Sequence, residues 1–281
     1  MVLANVNAAA TRRIPVIAAA FALMGVCAAC TVSNDQEVAI GAQDAAQINA
    51  QLPIIDDPEV AGYVERIGNS IAATTPRADL AWHFYVVNTR DVNAFALPGG
   101  FIYVNRGLIE QTDKLDELAG AIGHEIGHVV RRHAVDQMKK QTGAQIGVSL
   151  ACTLTRLCDS RASQVVINAA GSALFAKYSR ADEAEADSAA VVNAVNAGYD
   201  PRGIPELFRI LLRERERSPS KLDAFFASHP LEEERITATE SQIGQVDPSK
   251  LDRLVVDDSS FHTFKAALGR LPVAAEREAR P

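Results

Sequence analysis

Apolar residues recur at helical spacing through most of this chain, and they cluster at strand density only in its first half. Val38, Ala42, Ala45 and Ile48 mark a helix from Asp35 to Leu52, ended by Pro53. A second helix is predicted from Pro58 to Ala73, with Asp57 as its N-cap and Pro58 at its first helical position. Leu80 to Asn88 is rich in aromatic and β-branched residues (Trp82, Phe84, Tyr85, Val86, Val87) and reads as a strand. Pro98-Gly99-Gly100 makes a turn, and Phe101 to Val104 a second short strand. Helices then take over: Leu115 to Met138, Arg180 to Ala197 with a stop at Gly198 and Pro201, Pro205 to Glu216, and Glu232 to Ile243. Gly143 to Ala176 is apolar and rich in Ala, Gly and Val, and reads either as two core helices or as a lid. A few early strands among many helices predict an α+β fold, helix-rich with a small antiparallel or mixed sheet. The sequence holds no internal repeat.

The N-terminus follows a different rule. Arg12 and Arg13 precede an uncharged, mostly apolar run from Ile14 to Ala29 that ends in small residues, the order of a secretory signal over residues 1–29. The run falls short of the roughly 20 residues of a membrane span, and polar Ser33, Asn34 and Asp35 follow soon after. Cys30 follows Cys27-Ala28-Ala29, which resembles a bacterial lipobox except that Cys27 stands where Leu is usual. Cleavage there would leave a lipidated Cys30 as first residue, whereas cleavage near Ala28 or Ala29 would release a soluble protein. Residues 31–260 then form the folded domain, and 261–281 a C-terminal helix and polar tail. In an exported chain, Cys152 and Cys158, six positions apart, read as a local disulfide.

Composition narrows the partners. A hydrophobic fraction of 48% and a charged fraction of 22% are ordinary for a globular protein. The net charge of −7 argues against nucleic acid, whose binders carry a basic face. No later segment is apolar enough to span a membrane, so contact with one is expected only through a lipid on Cys30.

The candidate chemistry sits in the helix predicted from Leu115. His124-Glu125-Ile126-Gly127-His128 is an H-E-x-x-H motif, and residues four apart on a helix differ by only about 40° around its axis. Both imidazoles can therefore share one Zn²⁺, while Glu125 can reach a water without ligating. A catalytic zinc takes three protein ligands. His133, nine positions from His124, would lie about 180° away on the same helix, and reads as a polar or second-layer residue. The acidic run from Arg180 to Asp187 offers Glu183 or Glu185, which are too far apart in angle to face the same way. Asp187 shares a face with Glu183 and could fix the ring nitrogen of a histidine ligand. His229, before Pro230 in a predicted loop, could reach the site as a fourth ligand or a transition-state donor. His83 and His262 read as structural.

Several motifs occur in a familiar order: Asn93 to Gly100, Gly107-Leu108-Ile109, His124 to His133, Tyr178-Ser179-Arg180, Glu183 to Asp187, Ser228-His229-Pro230, and Arg235-Ile236. Across residues 35–260 the chain resembles the HtpX-like and CAAX-prenyl-protease-like zinc metallopeptidases, in particular their periplasmic bacterial members of the BepA and LoiP type. The resemblance implies a gluzincin-type domain holding one Zn²⁺ through His124, His128 and Glu183, with Asp187 behind them and Glu125 as the base. It implies that His229 lies near the metal, and gives Arg235 an oxyanion or structural role. It also implies an edge strand, here Phe101, Ile102, Tyr103 and Val104, that pairs with an extended substrate. The activity expected is that of a periplasmic metalloendopeptidase, anchored to the outer membrane if lipidated, that hydrolyses misfolded or misassembled envelope proteins. The alternative is a non-proteolytic assembly factor using the same groove. No further spanning segment or helical repeat domain is read in these 281 residues, so prenyl-protein processing is not expected and a stand-alone, LoiP-like peptidase is.

Overall fold

The computed structural model describes residues 32–140, 178–230 and 233–274. The signal, Cys30, the Cys152–Cys158 pair and the stretch from 143 to 176 lie outside the described residues. Helix α1 (Asn34–Gln51) is followed by α2 (Pro58–Ala72), whose N-cap Asp57 accepts hydrogen bonds from the Glu59 and Val60 amides as its sequence predicts. Strands β1 (His83–Val87), β2 (Ala94–Leu97) and β3 (Phe101–Asn105) lead into α3 (Arg106–Gln111) and the long α4 (Leu115–Arg131). A further helical segment spans 133–140. Beyond it lie α5 (Arg180–Ala197), α6 (Gly203–Arg217), α7 (Asp223–Ser228), α8 (Glu233–Ile243), α9 (Pro248–Leu251) and α10 (Ser259–Arg270). This is the expected α+β arrangement, helix-rich with a small sheet, and among the described residues no helix is long and apolar enough to cross a membrane.

The sheet runs β1-β3-β2, with β1 parallel and β2 antiparallel to β3. This corrects one expectation. Phe101, Ile102, Tyr103 and Val104 form the central strand, buried at every position and paired on both sides, so they have no edge to offer a substrate. The reason lies in β2, a strand of modest propensity (Ala94-Phe95-Ala96-Leu97) that folds back through Pro98-Gly99-Gly100 and takes the edge. The outer edge of β1 is met by the chain before α2: the Ile55 amide donates to the Val86 carbonyl at 2.9 Å, and Asn88 donates to Pro53 at 2.8 Å.

The larger of two apolar clusters unites α2, α4 and α10 with one face of the sheet, and a smaller one of Ala45, Val87, Leu97, Phe101 and Tyr103 packs α1 on the other. Val60, Val64 and Ile71 of α2, Ile102 and Val104 of β3, and Leu118, Ile122 and Ile126 of α4 are the centre of the larger one. Helix α10 joins it through Phe261 and Phe264, and Phe264 stacks on Tyr63 of α2 at 4.4 Å between ring centroids. Helix α1 is seated against the β2–β3 turn: a Cβ on Gly41 would stand 1.8 Å from the Pro98 carbonyl oxygen. Gly41→Ala should therefore cost about 1–3 kcal/mol through forced separation of the two. A urea unfolding midpoint equal to that of the unsubstituted protein would show that α1 does not rest there.

Candidate metal centre

Helix α4 is buried continuously from Leu115 to Val129, its polar residues Asp116, Glu117, His124, Glu125 and His128 included. Its broadest contact is with α5. Small residues set how close the two come. A Cβ on Gly127 would lie 2.8 Å from the Ala186 carbonyl oxygen and 3.1 Å from the Ala186 Cα, and Gly123 faces Ala190 at 3.7 Å. Gly127, inside the H-E-x-x-H motif, thus brings the backbone carrying the histidines against the backbone carrying the acids.

That approach converges four buried side chains. His124 Nε2 and His128 Nε2 are 3.0 Å apart. The carboxylate of Glu183 completes a triangle, with Oε1 at 3.4 Å from His128 Nε2 and Oε2 at 3.5 Å from His124 Nε2. His229 stands on the chain leaving α7, its Nδ1 3.0 Å from Glu183 Oε1 and its Nε2 3.6 Å from Glu125 Oε1. One donor atom from each of His124, His128, Glu183 and His229 lies within 4.8 Å of the others. Glu185, the other candidate on α5, is 57% exposed and points away, toward Arg131 and His133.

The donors suit a divalent cation in spacing and in charge. Ligands about 2.0–2.1 Å from a tetrahedral Zn²⁺ stand about 3.3 Å from one another, close to the separations in this triangle. Glu125, Glu183 and Asp187 are buried together, and Arg235 pairs with Glu183 and Asp187 only, so the donor set is rich in carboxylate and suits a cation. Burial opposes charge on His124, but Asp187 and Glu183 outweigh it and push its pKa up to about 10. His128, equally buried but without such a carboxylate behind it, is held well below the ordinary imidazole range. Burial likewise raises Glu125, against the pull of His229 and His124. Burial would raise Glu183 too, but hydrogen bonds from His124, His128 and His229 reverse it and keep the carboxylate ionised. Glu125 Oε2 finds no hydrogen-bond partner among the described residues, a costly state for a buried carboxylate oxygen unless a ligand or water comes to it.

Each of these side chains is held from behind. His124 Nδ1 lies 2.9 Å from Asp187 Oδ1, the contact expected from the Glu-x-x-x-Asp spacing. Arg235 of α8 grips both oxygens of Asp187 at 2.7 Å, reaches Glu183 Oε2 at 2.6 Å and donates to the Pro230 carbonyl at 3.0 Å. Each of its three nitrogens is thus engaged by Asp187, Glu183 or the Pro230 carbonyl. His133 behaves as a second-layer residue, though not for the geometric reason given by a continuous helix. Helix α4 stops at Arg131, Arg132 turns left-handed with φ 60°, and His133 swings round to place its Nδ1 2.9 Å from His128 Nδ1.

Sequence reasoning assigned no role to Tyr178, whose ring lies on that of His128 at 3.9 Å between centroids. The Tyr178 amide also donates to the Ser228 carbonyl at 3.1 Å, tying the approach to α5 to the residue before His229. His83 stacks on Phe101 and His262 pairs with Asp257, both away from the centre.

The model of peptidase family M48 matches residues 58–243. The chain is 31% identical over 234 residues to a putative beta-barrel assembly-enhancing protease of Vibrio cholerae, covering 81% of this chain and 48% of the relative. It is 27% identical over 250 residues to the beta-barrel assembly-enhancing protease of Escherichia coli K12, covering 86% and 50%. Over 178 residues it is 30% identical to the mitochondrial metalloendopeptidase OMA1 of Schizosaccharomyces pombe, covering 63% and 51%. The chain spans about half the length of the curated relatives it matches. With the family match spanning most of the described core and every one of its buried site residues, the chain belongs to peptidase family M48, and so to the metallopeptidases.

Proposed function

We propose that this protein is a zinc endopeptidase in which His124, His128 and Glu183 hold one Zn²⁺ and Glu125 is the general base. The observation that carries this reading is the convergence of the two Nε2 atoms and the Glu183 carboxylate beside a buried Glu125. A bound Zn²⁺ would polarise the scissile carbonyl and lower the pKa of a water toward about 7. Glu125, raised in pKa by burial, is suited to take the proton of that water and return it to the leaving amide nitrogen. Asp187 accepts from His124 Nδ1 and His133 pairs with His128 Nδ1, so both rings present Nε2 forward.

Substrate backbone is read here as pairing with β2. The Asn105 amide donates to Asn93, and the ladder alternates from there, so Phe95 and Leu97 exchange bonds with β3 while the N–H and C=O of Ala94 and Ala96 point outward. Ala94 lines one pocket with His124 and Glu125, and Ala96 another with His128, so this edge runs along the metal helix. The first pocket, walled by Ala121, Ile204, Leu207, Phe208 and Leu211, is apolar but only about 20 Å³, room for little more than a water, so an apolar substrate side chain would enter it only once its walls part. Substrates of that kind, extended and apolar, are what misassembled envelope proteins expose. The beta-barrel assembly-enhancing proteases to which the chain is similar support that choice and a periplasmic location, with an outer-membrane anchor if Cys30 is lipidated.

His229 is proposed to close the fourth position in the resting state, since its imidazole is 1% exposed and wedged between Glu125 and Glu183.

Three outcomes are expected. Glu125→Gln should keep stoichiometric zinc and lose about 10²–10⁴-fold in hydrolysis of casein, while His124→Ala or Glu183→Ala loses the metal; hydrolysis that persists in Glu125→Gln, or in chelator, would end the proposed mechanism. Ala96→Pro removes an outward N–H without breaking the β3 ladder, so kcat/KM should fall about 10-fold or more with little change in melting temperature. An unchanged kcat/KM would move the substrate off this edge. His229→Ala should cleave faster than the unsubstituted protein; equal or lower activity with zinc retained would remove the capping role.

A further inference from the structure

Glu37, in the first turn of α1, is a buried acid, 1% exposed, that is not among the donors gathered at the metal centre. Its Oε1 lies 2.7 Å from Arg77 Nη1 and accepts the Gly99 amide at 3.2 Å. Its Oε2 lies 3.2 Å from Arg77 Nη2 and 2.8 Å from Arg132 Nε. Arg77 Nη1 also donates to the Val129 carbonyl at 2.9 Å, within the last turn of the helix that carries His128. A single carboxylate thus gathers the end of α4, the β2–β3 turn and the loop after α2.

Arg132 is the only non-glycine residue with a positive φ among the described residues, at φ 60° and ψ 31°. Residues with a Cβ seldom take this conformation unless their surroundings impose it. The bend decides where His133 goes. Had α4 continued, His133 would sit about 140° around the axis from His128 and could not reach it. With the bend, His133 Nδ1 meets His128 Nδ1 at 2.9 Å, the contact that turns His128 Nε2 toward His124 and Glu183.

The geometry points to Glu37 as a positioning residue for the metal ligand His128, acting through the left-handed turn at Arg132 and the imidazole of His133. It is not itself one of the donors that converge on the metal centre. Helix α1 is then a brace for the metal centre as well as a cover for the sheet.

This inference rests on the metal reading above, and metal affinity separates the two. Zn²⁺ affinity is measured by competition with a chromogenic chelator, the absorption spectrum of the Co²⁺-loaded protein reports ligand geometry, and urea unfolding of the metal-free proteins reports the fold. Glu37→Gln should weaken Zn²⁺ binding about 10-fold or more and alter the Co²⁺ spectrum, the scale of loss typical when a partner behind a ligand is removed. Arg132→Gly should bind within about threefold of the unsubstituted protein, because glycine adopts the left-handed turn unaided. For the same reason Arg132→Gly added to Glu37→Gln should restore affinity, whereas Arg132→Val, which resists the turn, should lose it. Unaltered affinity in Glu37→Gln, or no recovery in the double variant, would overturn the inference. If Glu37→Gln fails to fold, equal affinity in Arg132→Gly and Arg132→Val overturns it instead. Failure of the unsubstituted protein to bind Zn²⁺ would count against the metal reading and not against the brace.

Discussion

Two helices that touch at backbone distance make this site. Because Gly127 has no Cβ, α4 settles onto Ala186 of α5, and the gap between helix axes is then spanned by short side chains. A histidine and a glutamate projecting across a wider gap would have to extend away from any common point; across this one they meet at 3.4 to 3.5 Å. The same contact buries Glu183 and Asp187 completely or nearly so, which makes their charge expensive. Much of the remaining architecture serves to make that charge tolerable. Helix α8 supplies Arg235, the end of α7 supplies His229, and a cation would supply the rest.

The two histidines are held by chemically different partners. His124 backs onto an ionised carboxylate, Asp187, which is itself clamped by Arg235. His128 backs onto a second imidazole, His133, and lies under the ring of Tyr178. A carboxylate partner raises the basicity of a ligand as well as orienting it; Asp187 and Glu183 push His124 up against its burial, while burial and the neighbouring imidazoles hold His128 down. A neutral imidazole partner can orient but adds no charge. Placing a charge behind only one ligand spares the interior a further buried acid, and leaves the orientation of His128 dependent on backbone geometry at Arg132.

How much of the chain was legible depends on this division. The helices with strong periodicity or clear caps appear within a residue or two of their expected ends: Pro58 to Ala72, Arg180 to Ala197 and Glu233 to Ile243. His124, Glu125 and His128 were legible from helical spacing alone, because all three lie inside one unbroken helix, whereas Asp187 shares a face with Glu183 and waited on the same choice. Spacing could not choose between Glu183 and Glu185, since only the neighbouring helix decides which side is inside. The break at Arg132 was invisible because the local sequence, Val129 to Ala134, carries no glycine or proline, and the acid that imposes the bend is 95 residues away in α1. Glu37 itself gave no signal, as one acid among several on a polar helix. β2 was overlooked because two of its four residues are alanine, a weak strand former that is tolerated where side chains have little room.

The misplaced strand shows how tertiary context assigns function to an element. Phe101 to Val104 has the stronger strand sequence, and for that reason it occupies the centre, where aromatic and β-branched residues pack on both faces. An edge that accepts a passing chain needs the opposite qualities: small side chains beside the metal helix, and main-chain groups left outside the ladder. Ala94 and Ala96 satisfy both conditions. The other edge of the sheet is partly taken up by residues 53–55, which leaves β2 as the edge beside the metal helix. The turn that joins this edge to the central strand is held by Glu37 through the Gly99 amide, and the same carboxylate holds Arg132. The turn behind β2 and the bend after the metal helix therefore share one anchor, and any displacement of α1 would move the two together.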